Sequence, residues 1–228
     1  MSPNAFQKKL NKNDWTMNKL RLVSLLVSFS ITLTGCLEVG TQLASWNDLQ
    51  ENEEPNGRYE FLEDSGVKVY IPLEFEKISI SEYQQIVREK YPEESQSFEI
   101  ERMNQLKDAD GELYLFFDKV SLASITVNTF PFTPLTKQDA QYVLGINRLE
   151  IEKNVENSPI EVERISSKYN GSKNDYIFKY VYKFTNTEND FDVYTTAYFI
   201  TKNFQTVFIN LNAGFNAHYD PFALKTIM

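Results

Sequence analysis

Apolar and polar positions alternate through much of the second half of the chain. In Tyr176-Ile177-Phe178-Lys179-Tyr180-Val181-Tyr182-Lys183-Phe184 the aromatic residues recur at every second position, so they share one face of an extended strand. Ile177, Val181 and, less comfortably, Lys179 and Lys183 take the other face. Such a ladder could stack on sugars or bases. Its ordinary use is to pack beneath helices, and we read it as core-facing. The same pattern predicts strands over 162–169, 176–185, 192–201 and 204–211, with turns at Asn170-Gly171, 186–189 and Lys202-Asn203. Earlier strands fall at 58–61 and 67–72, around the turn Glu63-Asp64-Ser65-Gly66, and at 113–117 and 122–130. Pro131 and Pro134 end the last of these.

Helical spacing lies between the strands. Ser79-x-x-Glu82 is a capping-box pattern, followed by Tyr83, Ile86 and Val87 and stopped at Tyr91-Pro92. A second helical stretch covers 98–106, and Asp108-Ala109-Asp110-Gly111 reads as a turn. Thr136-x-x-Asp139 opens a helix to about Lys153, with Ala140, Val143, Leu144 and Ile151 inward and Leu135 as a staple. Asp220, as N-cap, and Pro221 open a last helix running to Met228. There we expect Leu224 and Ile227 inward, Phe222 flanking and Lys225 outward.

Hairpin-linked strands pair antiparallel, and helices with one apolar stripe must cover a sheet, so the expected class is α+β: a mainly antiparallel sheet with helices packed on it. The element order and the closing Phe222-Ala223-Leu224-Lys225-Thr226-Ile227-Met228 segment resemble the PsbP-like α/β/α sandwich, a fold of small secreted or lipid-anchored binding and accessory proteins. The resemblance spans residues 58–228 as a single domain and brings no catalytic set with it.

The amino-terminal part obeys different rules. Met17-Asn18-Lys19-Leu20-Arg21 is short and basic, and residues 22–33 are apolar apart from Ser24, Ser28, Ser30 and Thr32. That is the plan of a secretory signal peptide. It is too short for a membrane-spanning helix, which needs about 20 apolar residues. It ends in Leu33-Thr34-Gly35-Cys36, which holds the only cysteine of the chain. These residues resemble the lipobox of bacterial lipoproteins. The resemblance implies cleavage before Cys36, a diacylglyceryl group on its thiol and acylation, with palmitate for example, of the new amino terminus. Residues 1–35 are then signal peptide, with 1–16 lying upstream of a normal start at Met17 or forming a long basic leader. Residues 36–57 are a lipidated tether, polar, acidic and without sustained periodicity.

Removing the signal changes the charge. The whole chain carries −9, but five of its 23 basic side chains and one of its 32 acidic ones precede Cys36, so the remainder carries −13. This argues against nucleic acid as a partner, and against electrostatic docking on anionic lipid. With no cysteine beyond Cys36, no intrachain disulfide forms, and the domain must hold itself together by its core.

No set of residues announces chemistry. His218 is the only histidine, which leaves no triad and, with Cys36 lipidated, no zinc site. Asp108-x-Asp110-x-Glu112 and Glu188-x-Asp190-x-Asp192 alternate carboxylates but fail the calcium-loop pattern, the second having Val193 where glycine is needed. The sequence therefore predicts no catalytic residue, cofactor or metal, with Cys36 as the one modified site. It leaves three functions open: a lipid-anchored binding or accessory module of the bacterial envelope, monomeric, acting on an envelope protein or a small ligand; a hydrolase using carboxylates in a cleft; or a structural or adhesion lipoprotein. The expected location is the bacterial cell membrane. The outer membrane is favoured in a Gram-negative host, because Leu37 is not the aspartate that tends to retain lipoproteins at the inner one.

Overall fold

A computed structural model describes residues 54–228 apart from 64, 92, 109–110, 157, 173–174 and 189–190. Cys36, the signal and most of the tether lie outside the described residues. The elements run β1 (Gly57–Leu62), β2 (Val67–Pro72), β3 (Glu76–Ile78), α1 (Ile80–Lys90), α2 (Glu93–Lys107), β4 (Glu112–Phe117), β5 (Ser124–Pro131), α3 (Lys137–Val155), β6 (Ile160–Ser172), β7 (Asp175–Asn186), β8 (Phe191–Lys202), β9 (Gln205–Ala213) and α4 (Asp220–Ala223).

Seven strands form one sheet in the order β3-β4-β5-β9-β8-β7-β6, with every neighbouring pair antiparallel. β1 and β2 form a separate hairpin. The α+β class with a mainly antiparallel sheet is therefore the observed one. Each face of the sheet has its own core. On one face Tyr83, Val87, Met103, Leu106, Ala140, Val143 and Ile151 of the helices meet Leu115, Phe117, Phe199, Phe208 and the aromatic ladder of β7. The ladder is buried at Phe178, Tyr180, Tyr182 and Phe184, as its spacing implied. On the other face Leu62, Val67, Val69 and Ile71 of the hairpin, with Tyr219 and Phe222, cover Phe116, Ile125, Val127 and Ile209.

Local signals account for most boundaries. Ser79 Oγ accepts from the Glu82 N–H at 3.0 Å and caps α1. Thr136 and Asp139 form a reciprocal capping box on α3: the Asp139 N–H donates to Thr136 Oγ1 and the Thr136 N–H to Asp139 Oδ2. β3 is too short to leave an alternating pattern in the sequence.

The C-terminal end differs from expectation. α4 is a single turn, capped at Tyr219 rather than Asp220, and Phe222 is fully buried while Leu224 is 65 % exposed and Ile227 also faces solvent. A helix this short obtains its stability from tertiary contact. The ring of Phe222 stacks between Tyr70 and Tyr219, and Ile227 instead bridges to Lys68 as extended backbone. The last hairpin turn also falls one residue later than the sequence suggests, at Asn203-Phe204, so β9 begins at Gln205.

Candidate functional site

The register of the central strands places polar residues where an apolar core is expected. On the helix-covered face, one row across the sheet reads Leu113, Asn128, Phe208, Phe199 and Phe178. The next reads Leu115, Thr126, Asn210, Ala197 and Tyr180, and the third Phe117, Ser124, Asn212, Thr195 and Tyr182. The middle of the sheet is thus a neutral polar floor of Thr126, Asn128, Asn210 and Asn212. It is walled on one side by β4 and on the other by the ladder of β7, and Ala197 leaves its row low beside Asn210. From the opposite layer, α3 turns Asn147 inward on the same stripe as Ala140, Val143 and Ile151.

Thr126, Asn128, Asn147 and Asn210 are fully buried, and Asn212 is buried as well. Asn212 Oδ1 accepts from Thr195 Oγ1 at 2.7 Å. Its Nδ2, both amide atoms of Asn128, Asn147 and Asn210, and Thr126 Oγ1 have no hydrogen-bond partner among the described residues. A buried amide without a partner costs about 1–3 kcal/mol. Asparagine is moreover a poor strand former. Four asparagines and Thr126 facing one interlayer are a poor choice for stability alone, and they suit a site that takes up a polar guest. Apolar walls with a few converging polar groups are the usual plan of a small-molecule site.

The sequence reading missed this floor. The signal was present: in Ser124-Ile125-Thr126-Val127-Asn128 and Phe208-Ile209-Asn210-Leu211-Asn212 polar residues alternate with apolar ones. Alternation of that kind ordinarily marks a strand with one wet face. Only the helices lying over that face turn the polar side into an interior.

A depression of about 350 Å³ lies beside α1 and is lined by Glu82, Gln85, Ile86, Glu89, Lys119 and Leu122. Its charges largely satisfy one another. Lys119 Nζ lies 3.0 Å from Glu76 and 3.9 Å from Glu82, and Gln85 donates to Glu89 at 2.9 Å. Leu122 has a φ of +58°, at the end of a turn that Asp118 holds through Val120 N–H and the Ser121 hydroxyl.

Behind α1 runs a buried charged network. Tyr83 donates to Glu99 Oε1 at 2.7 Å, and Arg102 clasps both oxygens of Glu99, at 2.5 and 2.8 Å. Burial, reinforced by the charge of Glu99, pushes the phenol of Tyr91 up to about 12 and that of Tyr83 well above its ordinary value.

His218 is half-buried beside Asp220, whose carboxylate it helps to hold in the charged form. Asp192 is engaged with Thr185 and Lys183. Asp110 and Asp190 of the two acidic runs lie outside the described residues. Among the described residues no three metal-binding side chains come together, and no helix is long and apolar enough to cross a membrane.

No protein-family model matches the chain, and a comparison with curated proteins finds no match. Among solved structures, the chain is similar to the solution structure of cyanobacterial PsbP (CyanoP) from Synechocystis sp. PCC 6803, at 12 % identity and a TM-score of 0.48, over 82 % of this chain and 98 % of that one.

Proposed function

We propose that the chain is a lipid-anchored binding module of the bacterial envelope, held to the membrane through Cys36, whose folded domain takes up a small neutral ligand between sheet and helices. The observation that carries the binding half is the buried floor of Thr126, Asn128, Asn210 and Asn212 with Asn147 above it. Its groups are uncharged and offer donors and acceptors together, which suits hydroxyl or amide groups and disfavours ions. None of the five is a nucleophile paired with a base, so the arrangement fits retention of a ligand better than turnover of one. Anchoring is supported by the basic segment, apolar run and Leu33-Thr34-Gly35-Cys36 in their proper order.

The test uses two neutral probes, acetamide and N-acetylglucosamine, against their charged counterparts acetate and glucosamine. The neutral probes are expected to raise the unfolding temperature and to shift the side-chain amide resonances of Asn128, Asn147 and Asn210. The charged ones are expected to do neither, and Asn210→Leu should abolish the response while leaving the protein folded. A high-resolution crystal structure showing only ordered water on the floor, together with no response to either neutral probe, would overturn the binding reading. Mass spectrometry of the native protein tests the anchor separately: an unmodified Cys36 thiol would overturn that half.

A further inference from the structure

Lys202 pairs with Gln205, so Asn203 and Phe204 alone close β8 onto β9. Both have positive φ, 47° and 61°. A two-residue turn of this kind favours Asn-Gly, because a side chain on the second residue is strained in the left-handed region. Here that residue is phenylalanine, and burial does not offset the strain, since Phe204 is 69 % exposed. Its ring centroid lies 5.3 Å from that of Phe132, which is 38 % exposed.

The support beneath the two rings is firm. The Thr133 N–H donates to Thr206 Oγ1 at 2.8 Å, and Thr201 Oγ1 donates to the Thr133 carbonyl at 3.2 Å, tying the Pro131-Phe132-Thr133-Pro134 loop to the hairpin. The two segments, 131–134 and 202–205, contain no aspartate or glutamate and carry one charged side chain, Lys202, on a chain of net charge −9. A strained and exposed pair of aromatic rings thus stands at one end of the sheet.

We infer that this tip is a membrane-contact surface, with Phe132 and Phe204 entering the boundary between headgroups and acyl chains of the bilayer that holds Cys36. The inference rests on the anchoring half of the proposed function. Seventeen residues lie between Cys36 and Glu54, where the described domain begins, and even fully extended they span at most about 60 Å. The domain is therefore confined to the neighbourhood of the surface. Aromatic rings favour that boundary, and interfacial binding scales with the apolar area buried. A projecting turn suits insertion, whereas a protein partner would be met by a groove or a broad flat patch.

The experiment reconstitutes the native lipidated protein in phosphatidylcholine vesicles with and without brominated phosphatidylcholine. The emission added by Phe204→Trp should be blue-shifted and quenched by the brominated lipid, and that added by Tyr142→Trp, on the exposed face of α3, should not be. Phe204→Gly should raise the unfolding temperature, by relieving the turn, and yet make transfer of the protein between vesicles severalfold faster. A purely structural role for Phe204 would not give that opposed pair of effects. An indole at position 204 quenched no more than one at 142 overturns the inference, as does a blue shift already present without lipid, which would mark a protein contact. Mass spectrometry of the same preparation reports on the anchor. Should Cys36 prove unmodified, the protein mixed with the same vesicles still reports on position 204, and an unquenched indole overturns the inference there too.

Discussion

Lys179 of β7 forms a salt bridge with Asp220 at the start of α4, on the face of the sheet opposite the long helices. Tyr198 of β8 donates to the same carboxylate oxygen at 2.5 Å, so one side chain of the last helix collects two strands. Burial alone would raise the carboxyl of Asp220. The bonds from Lys179 and Tyr198 outweigh it and hold the group below its ordinary value, with His218 adding to the effect. A carboxyl lowered in the folded state contributes stability that is fully present above its unfolded value, about 3.9, and is lost as pH falls through the native one. Asp220→Asn is therefore expected to cost about 1 kcal/mol near neutrality, a modest figure because the group is partly exposed. In denaturant titrations across pH, variant and parent should converge as the pH falls below the ordinary carboxyl range. A gap that stays constant with pH would place the effect elsewhere.

The exchange of roles between Phe222 and Leu224 gives a simple contrast. Phe222→Ala should cost about 3–5 kcal/mol, since the ring is fully buried between Tyr70 and Tyr219. Leu224→Ala, at an exposed position, should stay within about 0.5 kcal/mol. Urea unfolding of the two variants checks both, and equal costs would contradict the placement of α4.

Gly111 begins the return into β4 with a φ of +105°, and a Cβ built there would lie 1.8 Å from the Thr129 carbonyl oxygen. Backbone cannot yield as a flexible side chain does. Gly111→Ala should cost more than about 1 kcal/mol, through strain and displacement of the β4–β5 pair. Amide exchange should quicken at Leu113 and Thr129 before it does so in β7 or β8.

Arg102 and Glu99 are both buried, and Tyr83 joins α1 to the pair. Breaking the pair from one side, as in Glu99→Ala, takes from a buried guanidinium the carboxylate that it clasps twice and should cost about 3–5 kcal/mol. The joint replacement Glu99→Leu with Arg102→Met should be far milder than the sum of the single changes. At high pH the network fails from another direction. The raised phenol of Tyr91 contributes stability that is complete below its unfolded value near 10 and is lost as pH rises through about 12. Phenolate absorbance should accordingly appear in part only as the fold opens.

What could be read in advance followed from local rules. The capping residues Ser79 and Thr136 carry their signal within four positions, and the β7 ladder carries its own in strict alternation. What escaped depends on layers that local rules do not describe. Asn128 and Asn210 look like residues of a wet strand face until helices are laid over them. Phe204 looks like the first residue of a strand, because nothing in an Asn-Phe pair announces a left-handed turn. Leu224 and Phe222 both suit an apolar stripe, and only the aromatic slot between Tyr70 and Tyr219 decides which one enters.

The strand order has a consequence for when the sheet can close. β3, β4 and β5 belong to one half of the sheet and β6, β7 and β8 to the other, and β9 alone joins them, bringing Ser124 against Asn212. Until that late strand is available, each half keeps an unpaired edge and the polar floor has only one of its two central strands. Pairing over so long a separation is intrinsically slow. The two halves of the sheet, and the two cores they carry, can therefore close only once β9 has entered between β5 and β8.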